Sequence, residues 1–139
     1  MTEFIDIFDK NGNPTDEVLE KNEAERLGKL HRTAHIWIIN QNGELLLQLR
    51  AANKKLSPDT WGVSAGGHVQ HGETTIQAAI RELNEEIGIK ISAEKFVKIF
   101  TTLSNNNPHI NDVFLVRLDL PTSAFKFNDN EAVAVKYVQ

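Results

Sequence analysis

There is no cysteine in this chain. Disulfides, thiolate metal sites and cysteine nucleophiles are therefore excluded, and the composition fits a reducing compartment. Long apolar runs are missing as well. The longest, Ile36-Trp37-Ile38-Ile39, is far too short to span a bilayer. The opening residues, MTEFIDIFDK, hold acids and no apolar leader core. No signal peptide is expected, and the expected location is the cytoplasm. An excess of positive charge is also lacking: 15 Lys and Arg against 19 Asp and Glu leave a net charge of -4. That balance argues against nucleic acid or an acidic membrane as a partner. Internal repeats, low-complexity tracts and linkers are absent too. What remains is 139 residues, 40% of them hydrophobic, which is enough for one domain, 1–139, with a real core.

Residues 4–8 alternate apolar and acidic side chains, as a half-buried strand does. Asn11-Gly12-Asn13-Pro14 signals a turn. Residues 16–27 are helix-friendly and strongly charged, which predicts a short, mostly exposed helix stopped by Gly28. Residues 33–40 and 44–49 read as strands joined by a hairpin turn at Gln41-Asn42-Gly43. Residues 51–60 are loop, and 61–65 form a short strand leading into Gly66-Gly67. Further strands are expected over 96–103, 113–118 and 132–138, with loops over 104–108 and 121–130 and a short extended piece at 125–127. Trp37 and Trp61 read as core. Strands around one central helix suggest an α/β or α+β sandwich with a mixed β-sheet.

That helix is the organising stretch. Residues 67–89 read GHVQHGETTIQAAIRELNEEIGI, a glycine-rich loop that becomes an amphipathic helix over 74–87. Thr74 is the expected N-cap and Gly88 the stop. At about 100° per residue, Ile76, Ile80, Leu83 and Ile87 share one face as core. Glu82, Glu85 and Glu86 gather on a different face, and Glu73 precedes the first turn. Acids packed this closely repel unless neutralised, and a hard divalent cation with oxygen ligands is the natural candidate.

The spacing is Gly67, five residues, Glu73, seven residues, then Arg81-Glu82-Leu83-Asn84-Glu85-Glu86-Ile87-Gly88-Ile89. It resembles the signature of the Nudix hydrolases, with every specified position filled. The resemblance implies a Nudix-type α/β/α sandwich that cleaves a phosphoanhydride bond of a small-molecule diphosphate by water attack, with Mg2+ (or Mn2+). Such a reaction needs charge neutralised on non-bridging oxygens and a positioned water. By position in the motif, Glu82, Glu85 and Glu86 are the implied metal ligands. One of them, or Glu73, activates water, and which one stays open. Arg81 is expected to pair with Glu73 or another acid and hold its rotamer, and the backbone of Gly67 can approach the metal because it lacks a Cβ. Glu131, just before the last strand, matches a position where many family members carry a further acid.

A closer resemblance lies in Leu30-His31-Arg32, residues 45–50 (LLLQLR), Lys54-Lys55, Trp61 and Gly67-His68. Together they are similar to the Nudix branch related to isopentenyl-diphosphate isomerase. In that isomerase the hydrolase motif is degenerate, and a cysteine beside the glycine-histidine pair transfers the proton. The corresponding position here is Gly66. His31 and His68 match metal-binding histidines of the isomerase. Read on their own they are hydrogen-bonded structural histidines. The third such histidine falls on Ala24, and the isomerase acid on Asp112. His35, His71 and His109 are given no role. Arg50, Lys54 and Lys55 form a basic cluster suited to diphosphate, and are equally an ordinary solvated loop. The resemblance also implies a further helix after the last strand, whereas the sequence stops at Gln139: either the sequence is shortened or this member lacks the helix, and if that helix normally covers one sheet face its loss would expose apolar surface or favour a homodimer. Two competing functions stand beside hydrolysis: an isomerase, which needs the missing cysteine, and a non-catalytic nucleotide sensor, in which eroded carboxylates would be expected.

Overall fold

A computed structural model of the chain describes residues 2–52, 59–103, 107–127 and 132–139. The sequence signals place α2, Thr75–Ile87, where expected. Thr74 caps it in a full capping box: its side chain accepts from the Gln77 N–H, and the Gln77 side chain accepts from the Thr74 N–H. Gly88 ends it in the left-handed region at φ 74°. A Cβ there would lie 2.8 Å from the Lys126 Cβ, so glycine is required on two counts.

The strands are β1 (Phe4–Phe8), β2 (Pro14–Glu20), β3 (His31–Ile39), β4 (Leu45–Arg50), β5 (Trp61–Gly62), β6 (Ala65–His68), β7 (Val97–Leu103), β8 (His109–Arg117) and β9 (Ala132–Val138). The second helix, α1, spans Lys21–Leu27. Seven strands form one mixed sheet in the order β5-β4-β3-β8-β7, with β6 on β3 and β9 on β4. β3 and β8 run parallel; the other pairs are antiparallel. β1 and β2 make a separate two-stranded sheet. This is the mixed α+β architecture the sequence predicts. Helix α2 lies on β3 and β6, and Leu83 and Ile87 are fully buried against Ile36, Ile38, Leu46 and Phe114. Burial of each such side chain stabilises the fold by about 1.5–3 kcal/mol.

Several expectations need correction. Residues 16–27 are not one helix. The first part is strand β2, paired with β1 through Ile5↔Leu19 and Asp6↔Val18, and Leu19 joins Ile5, Ile7 and Ala24 in a small second core. Pairing with β1 overrides helix propensity, and Glu20 then caps the shortened helix by accepting from Asn22 and Glu23. The strand read as 61–65 is two short pieces, and the glycines Gly66 and Gly67 belong to β6 rather than to a loop. In the piece expected to be extended over 125–127 no strand forms; a 3-10 turn at Thr122–Ala124 leads into Phe125, whose backbone is extended (φ -88°, ψ 143°) and whose side chain is buried. Trp61 is 39% exposed, with the Lys136 ammonium 4.3 Å from its ring centroid, so it is not core. Ile76 and Ile80 are only partly buried at the edge of the core. Among the described residues no helix is long and apolar enough to cross a membrane.

Candidate active site

The site forms where α2 crosses β6. Register with β3 (Thr33↔His68, Ala34↔Gly67, His35↔Gly66) holds the glycines in a flat strand beneath the helix. A Cβ on Gly67 would sit 2.5–2.7 Å from the Glu82 carboxyl atoms. The carboxyl thus occupies the space that any larger residue would fill. Glu82 and Glu86, one turn apart, do not lie on a solvated face: they are 6% and 3% exposed. Only Glu85 is open, with a side chain 49% exposed. The acidic face and the core face expected to be separate therefore overlap.

Burial foremost pushes the Glu82 carboxyl above its ordinary value, against the hydrogen bond it shares with Glu86 and the pull of Arg81. Glu86 Oε1 accepts from Gln48 Nε2 at 2.8 Å and from the Gly66 N–H at 3.4 Å. Gln48 also donates to the Ser64 carbonyl, and Ser64 Oγ bridges the Ile38 N–H and the Leu46 carbonyl.

Arg81 gathers the remaining acids. Its Nε and Nη2 reach both oxygens of Glu73 at 2.8 and 3.0 Å, and Nη1 reaches Glu82 at 2.6 Å and Glu85 at 3.2 Å. Nη2 also donates to the His68 carbonyl at 3.0 Å, tying α2 to β6. Partial burial opposes its charge, yet Glu73 and Glu82 hold its pKa above the ordinary value. Glu73 Oε1 further accepts from the Gln70 N–H at 2.9 Å. A cavity of about 300 Å³ opens beside Glu73, lined by Asp6, Phe8, Arg32, Val69 and Thr74 among others.

The structure thus brings Gly67, Glu73, Arg81, Glu82, Glu85 and Glu86 together. Arg50 closes β4, where its N–H donates to the Thr60 carbonyl at 2.9 Å. Lys54, Lys55 and Glu131 lie outside the described residues. His31 is fully buried, and His68 stands at the end of β6. Asp112 faces elsewhere. It accepts from Arg32 at 3.1 Å and Thr101 at 2.6 Å.

A protein-family model described as NUDIX domain matches residues 29–139. The chain belongs to the Nudix family. It is 38% identical over 147 aligned residues to Nudix hydrolase 3 of Arabidopsis thaliana, covering 98% of this chain and 19% of that protein. It is 42% identical over 90 residues to an isopentenyl-diphosphate Delta-isomerase of Pectobacterium atrosepticum, covering 65% of this chain and 49% of the other. The chain therefore spans about a fifth of the first relative and half of the second. Among solved structures, DR0079 from Deinococcus radiodurans superposes with a TM-score of 0.82 at 25% identity, covering 98% of this chain and 83% of that one.

Nudix proteins generally use divalent metal ions, and the donor set here fits one. Glu82 lies beside the backbone that Gly67 leaves bare and shares a hydrogen bond with Glu86, and the open Glu85 is joined to Glu82 through Arg81. All the donors are hard oxygens. Sequence reading missed Gln48 as the partner of Glu86. The available signal was a glutamine at an inward position of β4, where the alternation through the buried Leu46 calls for an apolar residue. It also missed His109 and Glu25, which sit with His31 and His68.

Proposed function

We propose that this Nudix domain, read as one functional unit over 1–139, hydrolyses a phosphoanhydride bond of a small organic diphosphate of the nucleoside diphosphate-X type. The single observation that carries the reading is the Gly67–Glu82–Glu86 cradle, with Arg81 locking Glu73 beside it. In this proposal Glu82, Glu85 and Glu86 hold Mg2+, with Mn2+ as the alternative hard cation. When bound, the ion supplies charge neutralisation at the non-bridging oxygens and activation of the attacking water. Glu73 is a poor base, because both of its oxygens already accept from Arg81 and Gln70. Its task is to position Arg81. Glu85 is the open carboxylate, able to take a proton from water. Arg50, with Lys54 and Lys55, is assigned to the substrate phosphates, and Glu131 to a supporting acid.

Release of monophosphate from a panel of nucleoside diphosphate derivatives tests this. It should require Mg2+. Glu85→Gln should lower kcat by about 100-fold or more while leaving the circular dichroism spectrum unchanged. Tight binding without turnover across the panel would favour the sensing reading. Conversion of isopentenyl diphosphate to its isomer would overturn the hydrolase reading, though the chain has no cysteine to perform it. A homodimer belongs to the same proposal. The edge strand β7 exposes Val97, Ile99, Phe100 and Leu103, a surface a second copy would cover. A sedimentation coefficient independent of concentration and matching a monomer would remove that part.

A further inference from the structure

Three adjacent strands bring three histidines to one end of the sheet. His31 opens β3 and is in register with His109, which opens the parallel β8. His68 ends β6, opposite Thr33 on the other side of β3. The rings converge with centroids 4.7–5.6 Å apart. Glu25, on α1, drops its carboxylate among them. Oε1 lies 2.9 Å from His68 Nε2, 3.0 Å from His109 Nε2 and 3.3 Å from His31 Nε2. One donor atom from each of the four residues lies within 4.8 Å of all the others.

His31 is the informative member. Its ring is fully buried, and Nδ1 donates to the Lys29 carbonyl at 2.8 Å. In a neutral ring that bond leaves Nε2 as a lone-pair acceptor. Nε2 has no hydrogen-bond partner. It points at Glu25 Oε1, another acceptor, 3.3 Å away. Two acceptors aimed at each other at this distance repel, and a shared cation removes the conflict. The Lys29 carbonyl is moreover the kind of outer partner that fixes the tautomer of a metal-ligating imidazole.

We propose that Glu25, His31, His68 and His109 form a second metal site, one for a borderline transition ion of the Zn2+ class. Three imidazoles and one carboxylate suit such an ion better than Mg2+. Zn–N distances of about 2.0–2.1 Å set tetrahedral donor atoms about 3.3 Å apart, close to the spacings around Glu25 Oε1. In the metal-free arrangement His68 and His109 hydrogen-bond to Glu25 through Nε2. Loading moves each proton to Nδ1 or to solvent and leaves Nε2 free to ligate. The set differs from the one the isomerase resemblance implies. Residue 24 is alanine, Asp112 is turned to Arg32 and Thr101, and Glu25 and His109 supply the missing half. Four protein ligands close the site, so the ion would clamp α1 to the sheet next to Gly67.

The full chain, stripped with EDTA and titrated with Zn2+ against a chromophoric chelator, tests this independently of any hydrolase assay. One Zn2+ per chain should bind, survive millimolar Mg2+ and raise the melting temperature. Co2+ in its place should give the intense visible bands of a four-coordinate ion. Glu25→Gln and His109→Gln, both at partly exposed positions, should each weaken binding by about 100-fold or more, and Glu85→Gln should not. If His109→Gln does not fold, Glu25→Gln decides alone. No stoichiometric uptake, uptake indifferent to both ligand substitutions, or an ion displaced by Mg2+ or lost in Glu85→Gln would overturn the site.

Discussion

A Cβ added at Gly67 would fall on the Glu82 carboxyl, and that carboxyl is the far end of a flexible side chain rather than backbone. The fold can therefore yield where the chemistry cannot. Gly67→Ala should leave the melting temperature within a few degrees of the parent, because one side-chain end swings aside. The same swing breaks the 2.6 Å contact with Arg81 and the hydrogen bond shared with Glu86. Hydrolysis should fall by about 10–100-fold, the usual cost of misplacing a supporting group at a metal site. Paired measurement of thermal unfolding and turnover decides it. Equal losses in both would mean Gly67 is merely structural. Arg81→Lys separates position from charge at the same spot. Lysine keeps the charge but cannot span Glu73, Glu82, Glu85 and the His68 carbonyl together, so activity should drop although the net charge is unchanged.

At the scale of elements, α2 is the best-determined piece, and its two ends differ in cost. Thr74→Ala removes one half of the capping box and should destabilise by about 1 kcal/mol. Gly88→Ala forces a side chain into the left-handed region, at about 1–3 kcal/mol. It also drives a Cβ to 2.9 Å from the Lys126 carbonyl oxygen, which as backbone cannot move cheaply. Chemical unfolding should show Gly88→Ala as the more damaging of the two; the reverse order would refute the packing argument. The reason α2 was legible in sequence is that its cap, stop and apolar stripe are all local signals. Strand β2 was not, because nothing within 14–20 outweighs helix propensity until β1 pairs with it. The burial of Glu82 and Glu86 was hidden for a related reason. Periodicity places acids on a face, but only the approach of β6 and Gln48 turns that face inward.

On the scale of the whole molecule, the motif disclosed the proposed catalytic constellation because its members crowd residues 67–86, whereas the histidine cluster joins positions from 25 to 109 and depends on strand order. That cluster also sets how stability responds to acid. Burial, first among the causes, pushes His31, His35 and His68 below the ordinary imidazole value of 6.5; for His31 and His68 the pull of Glu25 opposes it. Unfolded imidazoles therefore take up protons that the folded ones refuse. Between 6.5 and the lower folded values the unfolded chain binds more protons, so stability is greatest above that window and declines as pH falls through it. Glu25 acts lower down. Burial works against its charge, yet the hydrogen bonds from His109 and His68 hold it at about 2 against an ordinary 4.5. Its contribution is present above 4.5 and disappears as pH falls toward 2. In chelator, the melting temperature should thus begin to fall as pH drops below about 6.5, and fall again in stronger acid as Glu25 takes up its proton. A melting temperature flat from about pH 7.5 to about pH 5.5 would contradict the burial of these rings. Saturating Zn2+ should shift the first decline to lower pH, since a bound ion and a proton compete for the same imidazole nitrogens.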